Sequence, residues 1–309
     1  MIADKVKLLF DSQLRDWELA ARNYNQLGKI LTRSVSFEGF SVIIQFNPER
    51  IRSSSAKVDA RSIGERVCFL CKQNRPKEQT GVSIAGDMTI LVNPYPIFRR
   101  HLTIISEHHE DQRIRENFYK MLELARLLPG YVIFYNGPQC GASAPDHLHF
   151  QAGNRGFMPV EADFYSESFA QKVISANSTR IWKWNGYLRT IISFEGDDPD
   201  SLTSSLEKFL DNFSNLQPGL PESMLNILTY FNDGGWVIHV FPRKVHRPVQ
   251  YFAEGEKQIL LSPAAVDLGG VLITPREEDF RKITASDIKD IFRQACLDEN
   301  EVPALLKGL

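Results

Sequence analysis

The sequence predicts an α+β fold, an antiparallel-rich sheet with flanking helices. Helical stripes alternate irregularly with runs of paired strands. No strict strand-helix-strand rhythm is present, which argues against a doubly wound parallel sheet. The chain has 309 residues, 43% of them apolar, enough for one large or two modest domains with a substantial core. It carries no repeat at solenoid periods and no low-complexity segment.

The elements follow in order. Val6, Leu9, Phe10, Leu14, Trp17, Ala21 and Tyr24 fall mostly three or four apart, so the first ~30 residues read as helix. Residues 37–47 (FEGFSVIIQFN) are rich in β-branched and aromatic side chains and read as strand. Residues 47–64 are polar around the run Ser53-Ser54-Ser55 and read as an exposed loop. Strands are expected at 88–92, 101–105, 131–135 and 146–151, with a turn at Asn93-Pro94-Tyr95-Pro96. Ile114, Phe118, Met121, Leu122, Ala125 and Leu128 form a helical stripe that Pro129-Gly130 stops. In the second half, Leu206, Phe209, Leu210, Phe213 and Leu216 mark a helix. Strands are expected at 226–231, 236–241, 257–261 and 270–274, and a last helix at 288–295. Residues 186–201, with GDDPDS inside, are the best candidate boundary between halves.

Lys plus Arg number 36 and Asp plus Glu 38, a net charge of −2. Such a chain lacks the basic excess of a nucleic-acid or membrane-surface binder, so neither partner is expected. No run approaches the ~18 unbroken apolar residues of a membrane span. The start, MIADKVKLLFDSQLR, has early acids and no cleavage site, so no signal peptide is expected. Four cysteines are too few for a secreted disulfide scaffold of this size, and a cytoplasmic location is expected. Cys68 and Cys71 form Cys-Phe-Leu-Cys, a spacing that suits a metal knuckle or a redox pair.

The chemistry concentrates in His147-Leu148-His149-Phe150-Gln151. On a strand, His147, His149 and Gln151 would share one face while Leu148 and Phe150 enter the core. Gly141-Ala142-Ser143-Ala144 lies just before. Small residues let backbone N–H groups approach an anion, and Ser143 adds a hydroxyl. Histidines beside such a loop point to phosphate chemistry with His as nucleophile or acid/base. Zinc wants four N/S ligands in a tetrahedron. Cys68 and Cys71 supply two, His108 or His109 a third, and one histidine of the HxH pair a fourth. His101 reads as a substrate contact or a packed core residue. The cluster Arg243-Lys244-Val245-His246-Arg247 is a phosphate site or a solvated loop. Cys140 reads as packing.

Gly-Ala-Ser-Ala-Pro-Asp-His-Leu-His-Phe-Gln resembles the glycine-serine loop and H-x-H-x-Q signature of the histidine-triad superfamily, in its transferase branch. That branch holds galactose-1-phosphate uridylyltransferase, diadenosine tetraphosphate phosphorylase and GDP-L-galactose phosphorylase. Asn93-Pro94-Tyr95-Pro96 through His101-Leu102-Thr103-Ile104-Ile105 resembles the family's N-x-[FY]-P…H-[LT]-x-[IV] strand pair. Asn136-Gly137 resembles the stretch ahead of the signature, and residues 237–252, with IHVFPRKVHRP inside, the second-half strand of the phosphorylases. Ser262-Pro263-Ala264-Ala265 is similar to a late segment of the GDP-L-galactose enzymes. Leu148 between the histidines, and three residues between Ser143 and His147, match those phosphorylases better than the uridylyltransferases.

The resemblance implies two histidine-triad-like halves, residues 1–190 with the catalytic motif and 191–309 packed against it. It implies that His149 attacks the α-phosphorus of a nucleotide and that Gln151 bonds the transferred group. Asn93, Asn136, Gly141, Ala142, Ser143, Arg243 and Lys244 would bind substrate. A structural zinc would be held by Cys68, Cys71, His108 and His147. The implied partners are a nucleotide sugar of the GDP-hexose kind or a dinucleoside polyphosphate, with phosphate or a sugar phosphate as acceptor, and a second copy of the chain in a homodimer. The alternatives are a nucleotide hydrolase of the same superfamily and a non-catalytic, zinc-stabilised nucleotide-binding protein.

Overall fold

A computed structural model describes residues 2–51, 60–84, 87–176 and 178–309. In order, the first half comprises α1 (Ile2–Asp16), α2 (Glu18–Gln26), β1 (Leu31–Ser36), β2 (Ser41–Phe46), α3 (Ala60–Glu65), β3 (Gly81–Ile84), β4 (Met88–Val92), β5 (His101–Ser106), α4 (Phe118–Leu127), β6 (Tyr131–Asn136), β7 (His149–Asn154) and α5 (Pro159–Tyr165). There follow β8 (Ala170–Ala176), β9 (Thr179–Trp184), β10 (Ile192–Gly196), α6 (Pro199–Leu216), β11 (Leu225–Asn232), β12 (Gly235–Pro242), α7 (Val249–Phe252), α8 (Ala265–Leu268), β13 (Val271–Thr274), α9 (Glu277–Lys282), α10 (Ala285–Ala295) and α11 (Val302–Leu305).

Among the described residues the main sheet has ten strands in the order β3-β4-β5-β7-β6-β11-β12-β10-β9-β8. All its neighbours pair antiparallel, as the α+β reading expects. The β6–β11 pair, with Asn136 opposite Asn226, joins strands β3–β7 to strands β8–β12. A three-stranded sheet, β1-β2-β13, lies apart, with β13 parallel to β2.

Strand alternation sends neighbouring side chains to two cores. Leu102, Ile104, Ile133, Tyr135, Phe150 and Ile227 pack on one face with Val6, Phe10, Phe118, Phe209 and Phe213 of α1, α4 and α6. Val132, Phe134, Leu228 and Phe241 pack on the other with Val42 and Ile44 of β2, Val271, Ile288 and Phe292. With both faces covered, β4, β5 and β6 are buried along their whole length. No helix among the described residues is long and apolar enough to cross a membrane.

Several expectations are corrected. The motif strand begins at His149, not at 146, so period-two alternation applies to His149 and Gln151 but not to His147. Residues 257–261 form no strand: the Leu260 N–H bonds the Asp279 carboxylate instead of a ladder partner. Ile259 and Leu261 are still buried, so the apolar alternation reported burial without pairing. Within residues 186–201, residues 192–196 form β10, which pairs with both β9 and β12. Of the stretch read as an exposed loop, residues 52–59, Ser53 to Ser55 among them, lie outside the described residues.

Gly153 of β7 shows how tightly the two faces are filled. A Cβ there would lie 2.5 Å from the Phe98 ring. Gly153→Ala is expected to lower stability by about 1–3 kcal/mol through overpacking, read from urea midpoints. In combination with Phe98→Leu the loss should be smaller than the sum of the two single losses.

Candidate functional site

Strands β5, β7, β6 and β11 bring the site together. Their register sets Ile105 opposite His149, Thr103 opposite Gln151 and Asn136 opposite Asn226. The His149 ring is buried, with Nδ1 2.8 Å from the His147 carbonyl. A carbonyl only accepts, so Nδ1 carries the proton and Nε2 is bare. Burial lowers the pKa of His149 to about 4, which keeps the ring neutral at pH 7. Among the described residues Nε2 has no hydrogen-bond partner.

Gln112 secures this backbone and was missed by sequence reasoning. Its Oε1 accepts the His149 N–H at 2.8 Å, and its Nε2 donates to the carbonyls of His149 and Asn136 at 2.9 and 3.0 Å. It closes the mouth where β6 and β7 part. A lone glutamine in a loop carries no pattern by which a sequence could single it out.

His101 resolves as a partner of Gln151. Its Nδ1 accepts the Ile97 N–H at 3.1 Å, so Nε2 holds the proton and donates to Gln151 Oε1 at 3.0 Å. With that oxygen occupied, the Gln151 amide NH2 is turned away from His101. Burial holds His101 at about 3, so the ring stays neutral. Arg50 is a second residue that the sequence reading missed, having placed it in the polar loop. It ends a single 3-10 turn, Pro48–Arg50, and donates to the Tyr95 carbonyl at 2.9 Å. Its charge acts on both His101 and Asp267. Burial lowers it to about 10, which leaves it cationic at pH 7.

The loop after β6 is packed against the second half. Asn136 Oδ1 accepts from Asn226 Nδ2 at 2.8 Å and from the Ala265 N–H at 2.9 Å, which turns its own NH2 elsewhere. Gly141 has φ +97°, and a Cβ there would meet the Ala264 methyl at 2.7 Å, so glycine is required twice over. Ala142 and Ala144 are buried, while Gly141 and Ser143 are half-buried. Cys140 is sealed, its thiol pushed up by burial to about 12, which suits packing and not nucleophilic chemistry. Asn93 turns the chain: Oδ1 accepts the Tyr95 N–H at 2.9 Å and Nδ2 donates to Thr103 Oγ1 at 3.1 Å.

Cys68, Cys71, His109 and His147 offer four donor atoms within 4.8 Å of one another. His147 Nδ1 lies 3.4 Å from the Cys68 sulfur and 3.6 Å from that of Cys71. His109 Nδ1 lies 3.3 Å from the Cys71 sulfur. Ligands on a tetrahedral zinc with bonds of about 2.0–2.3 Å sit roughly 3.3–3.8 Å apart, so the set fits such an ion. His147 Nε2 donates to the Ser106 carbonyl at 2.9 Å, which frees Nδ1. Burial raises the Cys68 thiol, but the hydrogen bonds of His147 and of the Leu70 and Cys71 N–H groups outweigh it and bring the group to about 6. The third ligand position is corrected from His108 to His109. One residue earlier the chain faces outward, and His108 Nε2 lies 3.7 Å from Asp87 in an exposed pair.

Arg243 is also corrected. It is fully buried, and its guanidinium donates to the carbonyls of Ala295, Pro263, Val245 and His246 and to Asn226 Oδ1, over 2.7–3.1 Å. All five N–H groups are committed, so none remains for a substrate. Lys244 bonds Asp298 at 2.6 Å on the surface and is not brought to the motif. Of the same cluster, Arg247 lies over the Tyr251 ring, 4.2 Å from its centroid, and bonds Ser262, two residues from Ala264.

Arg243→Met is expected to cost about 3 kcal/mol in urea unfolding, because it takes the donor away from the buried Asn226 Oδ1 and Pro263 carbonyl and from the part-buried carbonyls of Val245 and His246. Unchanged stability with a raised KM would restore the substrate-binding role.

Two family models match the chain: "Domain of unknown function (DUF4922)" over residues 9–154 and "GDPGP1-like, C-terminal domain" over residues 165–307. Galactose-1-phosphate uridylyltransferase of Staphylococcus carnosus is 26% identical over 145 residues, 46% of this chain and 28% of that protein. The enzyme of the same name from Staphylococcus saprophyticus is 24% identical over 162 residues, 52% of this chain and 31% of that protein. The matched stretch thus spans less than a third of either relative. The fold is that of yeast Ap4A phosphorylase Apa2, solved in complex with Ap4A: TM-score 0.58 and 14% identity, over 91% of this chain and 96% of that one. The motif, the fold and the matches to both halves fit the transferase branch of the histidine-triad superfamily.

Proposed function

We propose that this chain is a nucleotidyltransferase, a phosphorylase or uridylyltransferase-like enzyme, working through a covalent nucleotidyl-His149 intermediate. The observation that carries this is the neutral, buried His149 with its proton held at Nδ1 and a bare Nε2. The Nε2 lone pair forms a bond to the α-phosphorus of a nucleotide substrate, and the phosphoanhydride P–O bond breaks. The leaving phosphate oxygen keeps that electron pair. An oxygen of the acceptor then forms the new P–O bond, the P–N bond breaks, and the imidazole returns neutral. No base is needed, because a bare imidazole nitrogen is already nucleophilic at pH 7. The Nδ1–H stays hydrogen-bonded to the His147 carbonyl, which steadies the positive charge while the phosphoramidate exists.

The Gln151 NH2, oriented by His101, donates to the transferred phosphoryl as charge develops. The Asn136 amide and the half-buried Gly141 and Ser143 line the phosphate path. Arg50 donates a side-chain hydrogen bond to the Tyr95 carbonyl and keeps its charge near His101. The substrate is a nucleotide sugar of the GDP-hexose kind or a dinucleoside polyphosphate, and the acceptor phosphate or a sugar phosphate. Supporting this, the relatives by sequence are uridylyltransferases by name and the fold neighbour was solved with Ap4A. The division at 190/191, a homodimer and a cytoplasmic setting belong to the same reading.

Cys68, Cys71, His109 and His147 would hold zinc. Zinc there supplies a structural clamp one residue away from the strand that carries His149, without entering the chemistry.

The test is incubation with radiolabelled GDP-, UDP- and ADP-sugars and dinucleoside polyphosphates. Acid-labile label is expected on the protein, and none on His149→Ala. No label from any nucleotide would overturn the transferase reading. His101→Phe is expected to slow labelling by about 10–100-fold with little change in substrate affinity, through loss of the Gln151 orientation. Elemental analysis is expected to find about one zinc per chain and far less in Cys68→Ser, with a melting temperature lowered on chelation.

A further inference from the structure

We propose that Asp146 is the outer carboxylate of the cysteine–histidine cluster: braced by Arg66, it accepts a hydrogen bond from the Nε2–H of His109, aims Nδ1 at the metal and so selects His109 over its neighbour His108. The inference rests on the zinc reading and goes beyond it by assigning a positioning residue.

The segment after β5 runs alongside the motif: the Leu148 N–H bonds the Glu110 carbonyl at 2.7 Å and the Gln112 N–H bonds the Pro145 carbonyl at 3.0 Å. This pairing sets His109 beside Asp146 and His147. It also fixes the Asp146 backbone between two anchored neighbours. Arg66 Nη2 donates to Asp146 Oδ1. The other oxygen, Oδ2, lies 3.9 Å from His109 Nε2, while Nδ1 of the same ring faces the Cys71 sulfur at 3.3 Å.

The two ligand histidines are thereby treated alike. Each presents Nδ1 to the thiolates and turns Nε2 to an acceptor. For His147 the acceptor is the Ser106 carbonyl at 2.9 Å; for His109 it is Asp146. Ligation at Nδ1 places the ring proton on Nε2 and makes it a stronger donor, and the half-exposed His109 ring has room to move the roughly 1 Å that a hydrogen bond requires. Two thiolates balance a divalent cation, so the ion leaves no net positive charge to offset a further carboxylate, and another cation must neutralise it. Arg66, three-quarters buried beside it, does that. Among the described residues His108 faces the exposed Asp87 and is not part of the cysteine–histidine group.

The test is zinc affinity of the purified 309-residue chain by chelator competition, with Co2+ as a spectroscopic probe. Asp146→Asn is expected to weaken zinc about 10–100-fold while keeping the Co2+–thiolate charge-transfer band of the same ligand set, and Asp146→Glu to recover part of the loss. His109→Gln is expected to change the band, and His108→Gln to change neither band nor affinity. Equal zinc affinity in the parent, Asp146→Asn and Asp146→Ala would overturn the assignment and leave the zinc reading standing. A parent chain that takes up neither zinc nor Co2+ with a thiolate band would overturn both.

Discussion

The hydrogen bond from the His149 ring to the carbonyl of His147 is the contact on which the site depends. An imidazole has two nitrogens and, when neutral, one proton. A carbonyl two residues back in the chain claims that proton at Nδ1, and the opposite nitrogen is left with its lone pair. Burial removes the competing protonated form. The geometry therefore requires the His147–His149 backbone to hold its shape, and the surrounding structure secures it from three sides. Gln112 clamps the His149 peptide, β5 pairs with the strand, and the Cys68, Cys71 and His109 group surrounds the side chain of His147.

The site belongs to neither half alone. Asn136 sits on the first half's last inner strand, but its amide is oriented by Asn226 of β11 and by the Ala265 N–H at the start of α8. The Gly141 loop has its shape because Ala264 occupies the space that a side chain would need. Arg243 ties these second-half parts together, bonding Asn226, the carbonyl of Pro263 just ahead of Ala264, and the end of α10. A buried cation of this kind contributes shape more than net stability, since its desolvation offsets much of what its hydrogen bonds return. Its service to the site is indirect: it holds the residues that hold Asn136.

The histidines divide by environment. His101, His149, His239 and His246 are lowered by burial and stay neutral, three of them in hydrogen bonds that assign the ring proton or its acceptor. His109 and His147 instead face sulfur, and His108 faces solvent. Residues of one type, two of them adjacent in the chain, thus sit in four different settings: a buried ring with a bare nitrogen, a ring bonded to Gln151, rings facing sulfur and a surface ring.

Local pattern was enough to read the α+β class, most strands of the first half, the apolar stripes of α4, α6 and α10, and the His149, Gln151 and Cys68–Cys71 pairs. These depend on periodicity and on short spacings, which the chain carries in itself. Whether 257–261 pairs as a strand, whether His108 or His109 turns toward the sulfurs, and whether Arg243 meets a substrate or five protein acceptors are questions of which distant groups arrive. Gln112 and Arg50 carry no local mark at all. Both matter because the fold brings partners 24 to 45 positions away in the chain against them, and hydrogen-bond partners at such separations are chosen by packing and register, not by neighbouring sequence.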